Sequence, residues 1–194
     1  MNVRRLTLMT RVLCICFALL TGGCSGVTHK PQITTHNLQI SRHTSVGLTD
    51  TRADQILADM STVLNMNDGM GDVACNVGFE RDGSLTTFSA TGGMINSSAD
   101  FDAVNGLPGN IKVVTQINWC GSLAPGIIGC APVPGDSLVV IRFGTNQEGI
   151  LWLHEFGHNQ GLDHRNDAGA VMQPSIGSTH RRINSSECAA YEMN

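Results

Sequence analysis

Three histidines within one short stretch constrain this chain more than anything else in it. Residues 151–164 read LWLHEFGHNQGLDH. His154 and His158 are four positions apart, so on a helix they stand one turn apart on one face, where two imidazoles can hold one zinc ion. Glu155 follows the first of them and can reach a water on that metal rather than the metal itself. Gly161 can take a positive φ at no steric cost and so ends the helix. The chain then turns back, and His164, three residues further on, can supply a third imidazole. Three neutral imidazoles leave the fourth position to water, which is the pattern of a catalytic rather than a structural zinc site. Thr145 and Glu148 have capping-box spacing, which predicts a helix that begins there and runs through His158.

The rest of the chain fits an exported protein with one folded domain. Its 194 residues are 41% hydrophobic, which excludes a disordered polar chain. Only 14% are charged, the formal net charge is -4, and the basic cluster is short and N-terminal, so no nucleic-acid surface is expected. In residues 1–23, Arg4, Arg5 and Arg11 are followed by an apolar run over 12–20, the length of a signal core and too short to span a bilayer. Thr21, Gly22 and Gly23 then precede Cys24, which resembles a bacterial lipobox with Thr in place of the usual Leu. The resemblance implies a lipoprotein signal over 1–23, a lipid anchor on Cys24, attachment to a membrane of the bacterial cell envelope and, from Ser25, the outer one. Secretion after a cut without lipid is the alternative. Residues 24–44 are polar and read as a tether, with at most one short strand around Leu38 and Ile40; residues 45–194 read as the folded domain.

Cysteine usage agrees with export. Cys14 and Cys16 leave with the signal and Cys24 is the proposed anchor. Cys75, Cys120, Cys130 and Cys188 remain, an even number that predicts two disulfides in an oxidising compartment. Four cysteines allow three pairings. Cys120 and Cys130 flank a Gly/Pro-rich loop, which favours that bridge and leaves Cys75 with Cys188. Zinc binding by these cysteines would want a CxxC pair, which the chain lacks.

Periodicity predicts an interleaved α+β fold without a βαβ rhythm. Ala53, Ile56, Leu57, Met60, Val63 and Leu64 recur at helical spacing over 48–64, with Thr49 or Asp50 as cap. Residues 67–72 read as a turn without calcium-loop spacing. Val73, Cys75, Val77 and Phe79 alternate as a strand, and Asp82-Gly83 predicts a hairpin into 85–88. A short capped helix is expected over 98–104, further strands over 111–119, 127–131 and 137–143, and a last helix capped by Asn184 or Ser185. His29, His36, His43 and His180 lack ligand spacing and read as surface residues.

Taken with Met172 in the run AVMQP, the motif HExxHxxGxxH resembles the metzincin zinc metallopeptidases, and among them the matrixins. The HEFGH core, the interval from His164 to Met172, and Ala170 and Pro174 all carry the likeness. Residues 127–135 are also similar to the matrixin strand that borders the substrate cleft. The resemblance implies a twisted mixed β-sheet with a long N-terminal helix, an active-site helix and a short C-terminal helix. It implies one catalytic Zn2+ per chain on His154, His158 and His164, Glu155 as general base and acid, and Met172 as an apolar floor below the ligands. It further implies a peptide or protein substrate held extended along 127–131, with 174–182 walling the pocket past the cut bond. The chain departs from the matrixin pattern at Arg165, where matrixins have Ser, at Gln173, where they have Tyr, and in showing no cysteine-switch segment. Two other classes compete: a zinc-containing envelope lipoprotein without turnover, against which Glu155 argues, and a metal-free structural lipoprotein.

Overall fold

The computed structural model describes residues 33–67 and 72–193. Residues 1–32, with the signal, Cys24 and His29, and most of the expected turn at 67–72 lie outside the described residues.

The chain opens with two strands in line, β1 (Thr34–Leu38) and β2 (Ile40–His43), followed by helix α1 (Asp50–Leu64). Strands β3 (Val77–Arg81), β4 (Thr86–Phe88) and β5 (Met94–Ile95) come next, then α2 (Ser98–Asn105). β6 (Ile111–Val114), β7 (Gln116–Trp119), β8 (Leu123–Ile127), β9 (Gly129–Cys130) and β10 (Leu138–Ile141) lead into α3 (Glu148–Asn159) and α4 (Ser185–Tyr191). The central sheet has the order β4-β2-β6-β10-β9, parallel except for the antiparallel edge strand β9. β1 pairs with β3, and β5, β7 and β8 form a smaller sheet.

Both faces of the central sheet are covered. Along β10, Leu138 and Val140 join the core formed by α1 and α3, whereas Val139 joins a second cluster with Phe101 and Val104 of α2. A strand buried on both faces reads as a continuous apolar run, which is what LVVI is. β6 breaks the rule at Lys112, which is 1% exposed. Its Nζ donates to the carbonyls of Asn105, at the C-terminal end of α2, and Gly109. Burial pulls the Lys112 ammonium down to about 8.

Four expectations are corrected. Residues 34–43 are not tether: Leu38 and Ile40 are buried, and β2 sits inside the central sheet between β4 and β6, so the fold begins before residue 45. Asp82-Gly83 makes no hairpin. β3 runs parallel to β1 and β4 parallel to β2, with registers Leu38↔Arg81 and then Ser41↔Thr86. Residues 82–85 thus carry the chain from one sheet to the other without reversing it. A tight hairpin does form between β7 and β8, turned at Gly121 (φ 73°). The expected strands at 111–119 and 127–131 each divide between the two sheets. Finally, His43 is buried rather than on the surface, its Nδ1 2.6 Å from Ser45 Oγ and its ring edge-on to Phe88. His36 is half-buried between Phe79 and Phe156, with Nε2 2.7 Å from the Tyr191 carbonyl oxygen.

α1 starts at Thr49, whose side chain accepts from the Arg52 N–H, and α4 has a full capping box between Asn184 and Glu187. Cys75 is bonded to Cys188 and Cys120 to Cys130, with Cα–Cα distances of 5.5 and 5.7 Å. Among the described residues no helix is long and apolar enough to cross a membrane.

Candidate metal centre and cleft

α3 is buried along its whole length, with Trp152 fully inaccessible. Its start is not the expected capping box. Gln147 precedes the helix without a side-chain cap, and Glu148 turns inward instead. The Glu148 carboxylate is fully buried, paired with Arg52 at 2.8 Å and with Arg142, and accepts the Phe143 N–H. Burial raises its pKa, but the hydrogen bonds from Arg142 and Arg52 outweigh that and hold it below the usual range. An ionised carboxylate in the first turn also suits the helix dipole.

The other end of α3 stops as its sequence predicts. Gly161 has φ 82°, its N–H bonds to the His158 carbonyl, and the Leu162 N–H reaches back to the Gly157 carbonyl. This is a Schellman ending, and it turns the Leu162 carbonyl towards His158 Nδ1, 2.7 Å away. His154 Nδ1 lies 2.8 Å from the Val171 carbonyl oxygen. A carbonyl oxygen only accepts, so both Nδ1 atoms carry the proton and both Nε2 atoms present lone pairs. Those lone pairs converge: His158 Nε2 is 3.2 Å from His154 Nε2 and 3.2 Å from His164 Nε2. Three acceptors gathered like this suit a shared cation, with the outer carbonyls fixing ring orientation. Burial depresses both helical imidazoles, His154 to about 4, and keeps them in the neutral form a metal requires. The fit is therefore good: three imidazole nitrogens within 4.8 Å of one another, two of them on rings oriented by backbone carbonyls.

Met172 packs against α3 at Gly157, the residue before the second histidine. It is fully buried, and its Sδ accepts from Tyr191 Oη at 3.4 Å. Gly157 is what lets it approach, because a Cβ there would stand 2.5 Å from both Met172 Sδ and Tyr191 Oη. Glu155, 5% exposed, points the other way towards β9, where a Cβ on Gly129 would come within 2.6 Å of its Cδ. Burial pushes its carboxyl up to about 8 in the metal-free protein.

His154, Glu155, His158 and His164 form the floor of a cleft of about 830 Å³. Residues 124–131 of β8 and β9 line one side, and Pro174, Ser175 and Ile176 the other. β9 is the end strand of its sheet, so one main-chain edge is left for a further strand. The disulfide Cys120–Cys130 ties the β7–β8 hairpin to β9 at this rim. The last of the four histidines expected at the surface, His180, is half-buried, with Nδ1 2.7 Å from the Ser175 carbonyl oxygen.

Sequence reasoning missed several supporting residues. Arg52 and Glu148 are 96 positions apart, and nothing local marks them as partners. Asn159, beside the second histidine, donates to the carbonyls of Pro132 and Ser137 and so fixes the loop below β9. Its polarity at the inner end of a buried helix is the one signal that could have pointed to it.

Comparison with known proteins gives a family and a fold. The matrixin family profile matches residues 62–190. No curated protein sequence matches the chain. Among solved structures, archaemetzincin from Methanopyrus kandleri shares 16% identity over 85% of this chain and 97% of its own, with a TM-score of 0.50. Mature mirolysin from Tannerella forsythia, in complex with a cleaved peptide, shares 13% identity over 82% of this chain and 90% of its own, with a TM-score of 0.58. At such identities the likeness establishes the fold.

Proposed function

The chain belongs to the matrixin family of zinc metallopeptidases, and we propose that it is an endopeptidase that cuts extended peptide chains across the cleft above α3. The observation that carries this reading is the convergence of three imidazole Nε2 atoms at 3.2 Å spacings with a carboxylate, Glu155, lining the same cleft. In the proposal His154, His158 and His164 hold the zinc ion and Met172 forms the apolar floor below them. A bound zinc ion supplies Lewis acidity, making water more acidic and the scissile carbonyl more electrophilic.

The remaining work falls to the protein. Glu155 takes a proton from the attacking water and delivers it to the leaving amine nitrogen. The unpaired edge of β9 offers main-chain groups to a substrate strand, which fixes register. Pro174, Ser175 and Ile176 stand where they can meet the side chain just past the cut. The peptide complex of mirolysin, which shares the fold, supports a peptide as occupant. The proposed location is the bacterial cell envelope, through a lipid on Cys24, on the lipobox-like sequence and the cysteine count.

The test is zinc content and proteolysis measured together. The wild type should hold one zinc per chain and cut an unfolded protein into fragments identifiable by mass spectrometry. His164→Ala should lose both, since two imidazoles make a much weaker site. Zinc at full occupancy with no cleavage across a broad panel of unfolded proteins would contradict the reading in favour of a binding protein.

A further inference from the structure

Arg165 follows the third histidine at a position where matrixins have serine, and in this fold its side chain touches three separate segments near the site. Its backbone N–H donates to the Met172 carbonyl at 2.7 Å. Its guanidinium reaches three separate groups. Nη1 donates to Asp167 at 3.0 Å and Nη2 to the Arg182 carbonyl at 2.9 Å, whereas Nε stands 2.9 Å from a Glu187 oxygen as an ion pair without hydrogen-bond geometry. Asp167 is itself held by Arg182 at 2.9 Å. Glu187 is the N3 residue of α4, nearly inaccessible, and its other oxygen accepts the Asn184 N–H of the capping box.

These bonds lead to the first histidine. The Arg182 carbonyl that takes the Nη2 proton also accepts the Val171 N–H at 3.0 Å. The Val171 carbonyl in turn is the acceptor that orients His154 through Nδ1. One side chain therefore sits between His164, which precedes it in sequence, and the backbone that aims His154. The same side chain clamps this pair of segments to α4, which the Cys75–Cys188 bond anchors to the segment just before β3.

We propose that Arg165 is a positioning residue that sets the spacing of the third imidazole against the first, through Glu187 on one side and the Arg182–Val171 backbone on the other. The proposal rests on the reading of the three histidines as zinc ligands. A serine is too short to reach Glu187 or the Arg182 carbonyl. A lysine carries a single ammonium and cannot serve Asp167, Glu187 and a carbonyl in the directions that the planar fork does.

The test compares the wild type with Arg165→Ser, Arg165→Lys and Glu187→Gln. Zinc affinity is measured by competition with a chelator, the visible absorption spectrum is recorded after loading with cobalt, and melting of the metal-free protein is followed separately. Glu187→Gln keeps an acceptor for the Asn184 N–H, so it stays informative if Arg165→Ser does not fold. Loss of a group that orients metal ligands typically weakens binding about 10–100-fold. Arg165→Ser should fall in that range with an altered cobalt spectrum, Arg165→Lys should not restore the wild-type values, and Glu187→Gln should shift them in the same direction by less. Variants that melt earlier without metal yet bind zinc within about twofold of the wild type, with an unchanged cobalt spectrum, would overturn the proposal and leave Arg165 a stabilising residue only. A wild type that binds neither zinc nor cobalt would overturn the functional reading itself, and this proposal with it.

Discussion

Gly157→Ala sets a helix-propensity gain against a packing loss, and the structure decides the sign. Alanine in place of a helical glycine gains about 1 kcal/mol of propensity. Here the new Cβ would lie 2.5 Å from Met172 Sδ and from Tyr191 Oη, and 3.2 Å from Met172 Cε. Neither side chain has room to give, since both are fully buried. The single Tyr191 hydroxyl proton is shared between Met172 Sδ and the Leu153 carbonyl at 3.2 Å, so moving the ring endangers a hydrogen bond worth about 1 kcal/mol. Overpacking of this kind costs about 1–3 kcal/mol in a dense core, and more where backbone must shift. We expect a net loss of about 1–2 kcal/mol, which at 2–4 °C per kcal/mol is a Tm lower by roughly 2–8 °C in the metal-free protein. Urea unfolding of the metal-free form gives the free energy directly. Zinc affinity should fall as well, because Met172 cannot retreat without moving the Val171 carbonyl that orients His154. A Gly157→Ala variant as stable as the wild type or more so would refute the packing argument and show that the Met172 turn yields freely.

Gly129→Ala would drive a methyl group into the Glu155 carboxylate; kcat should fall on the order of 10–10²-fold with zinc content unchanged, measured as turnover of a fluorogenic peptide beside metal analysis. Lys112 binds its proton less tightly when folded, at about 8 against about 10.5 unfolded, so stability should rise as pH increases through that window. The rise is bounded by about 1.4 kcal/mol per pH unit, and urea unfolding between pH 7 and 10.5 should show it for the wild type and a flatter profile for Lys112→Met. Cys24→Ala should move the protein from the membrane to the soluble fraction of a bacterial host. A wild type recovered soluble, starting at another residue, would sink the anchor.

The metal centre was legible because its spacing is local. The interval between His154 and His158 sets one helical face, Gly161 sets the stop, and the close return to His164 leaves little freedom. α1 was legible for the same reason, through Ile56, Leu57, Met60 and their neighbours at helical intervals. What failed depended on distant partners. Asp82-Gly83 carries a hairpin signal, yet the strands on either side have better partners in β1 and β2, far away in sequence. Thr145 and Glu148 have capping-box spacing, yet Glu148 is claimed by Arg52 and Arg142 because a buried carboxylate needs charge as well as hydrogen bonds. Residues 34–43 look polar because Thr34, Asn37, Gln39 and Ser41 outnumber the apolar positions, but Leu38 and Ile40 suffice once main-chain pairing with β3 and β6 is available. The likeness to the matrixins pointed to 127–131 and 174–182 as cleft walls, of which 127–131 and 174–176 line the cleft, and not to the glycines that give Glu155 and Met172 their space.

If Glu155 moves the proton while the histidines hold the metal, Glu155→Gln separates the two roles most directly. Glutamine keeps the size of the side chain and its place beside Gly129 but cannot take a proton. Purified Glu155→Gln should carry one zinc per chain with unaltered affinity, and its kcat on an unfolded protein substrate should be lower by a factor on the order of 10²–10⁴. Zinc retained and cleavage at the wild-type rate would contradict the assignment of Glu155, whatever the motif around it.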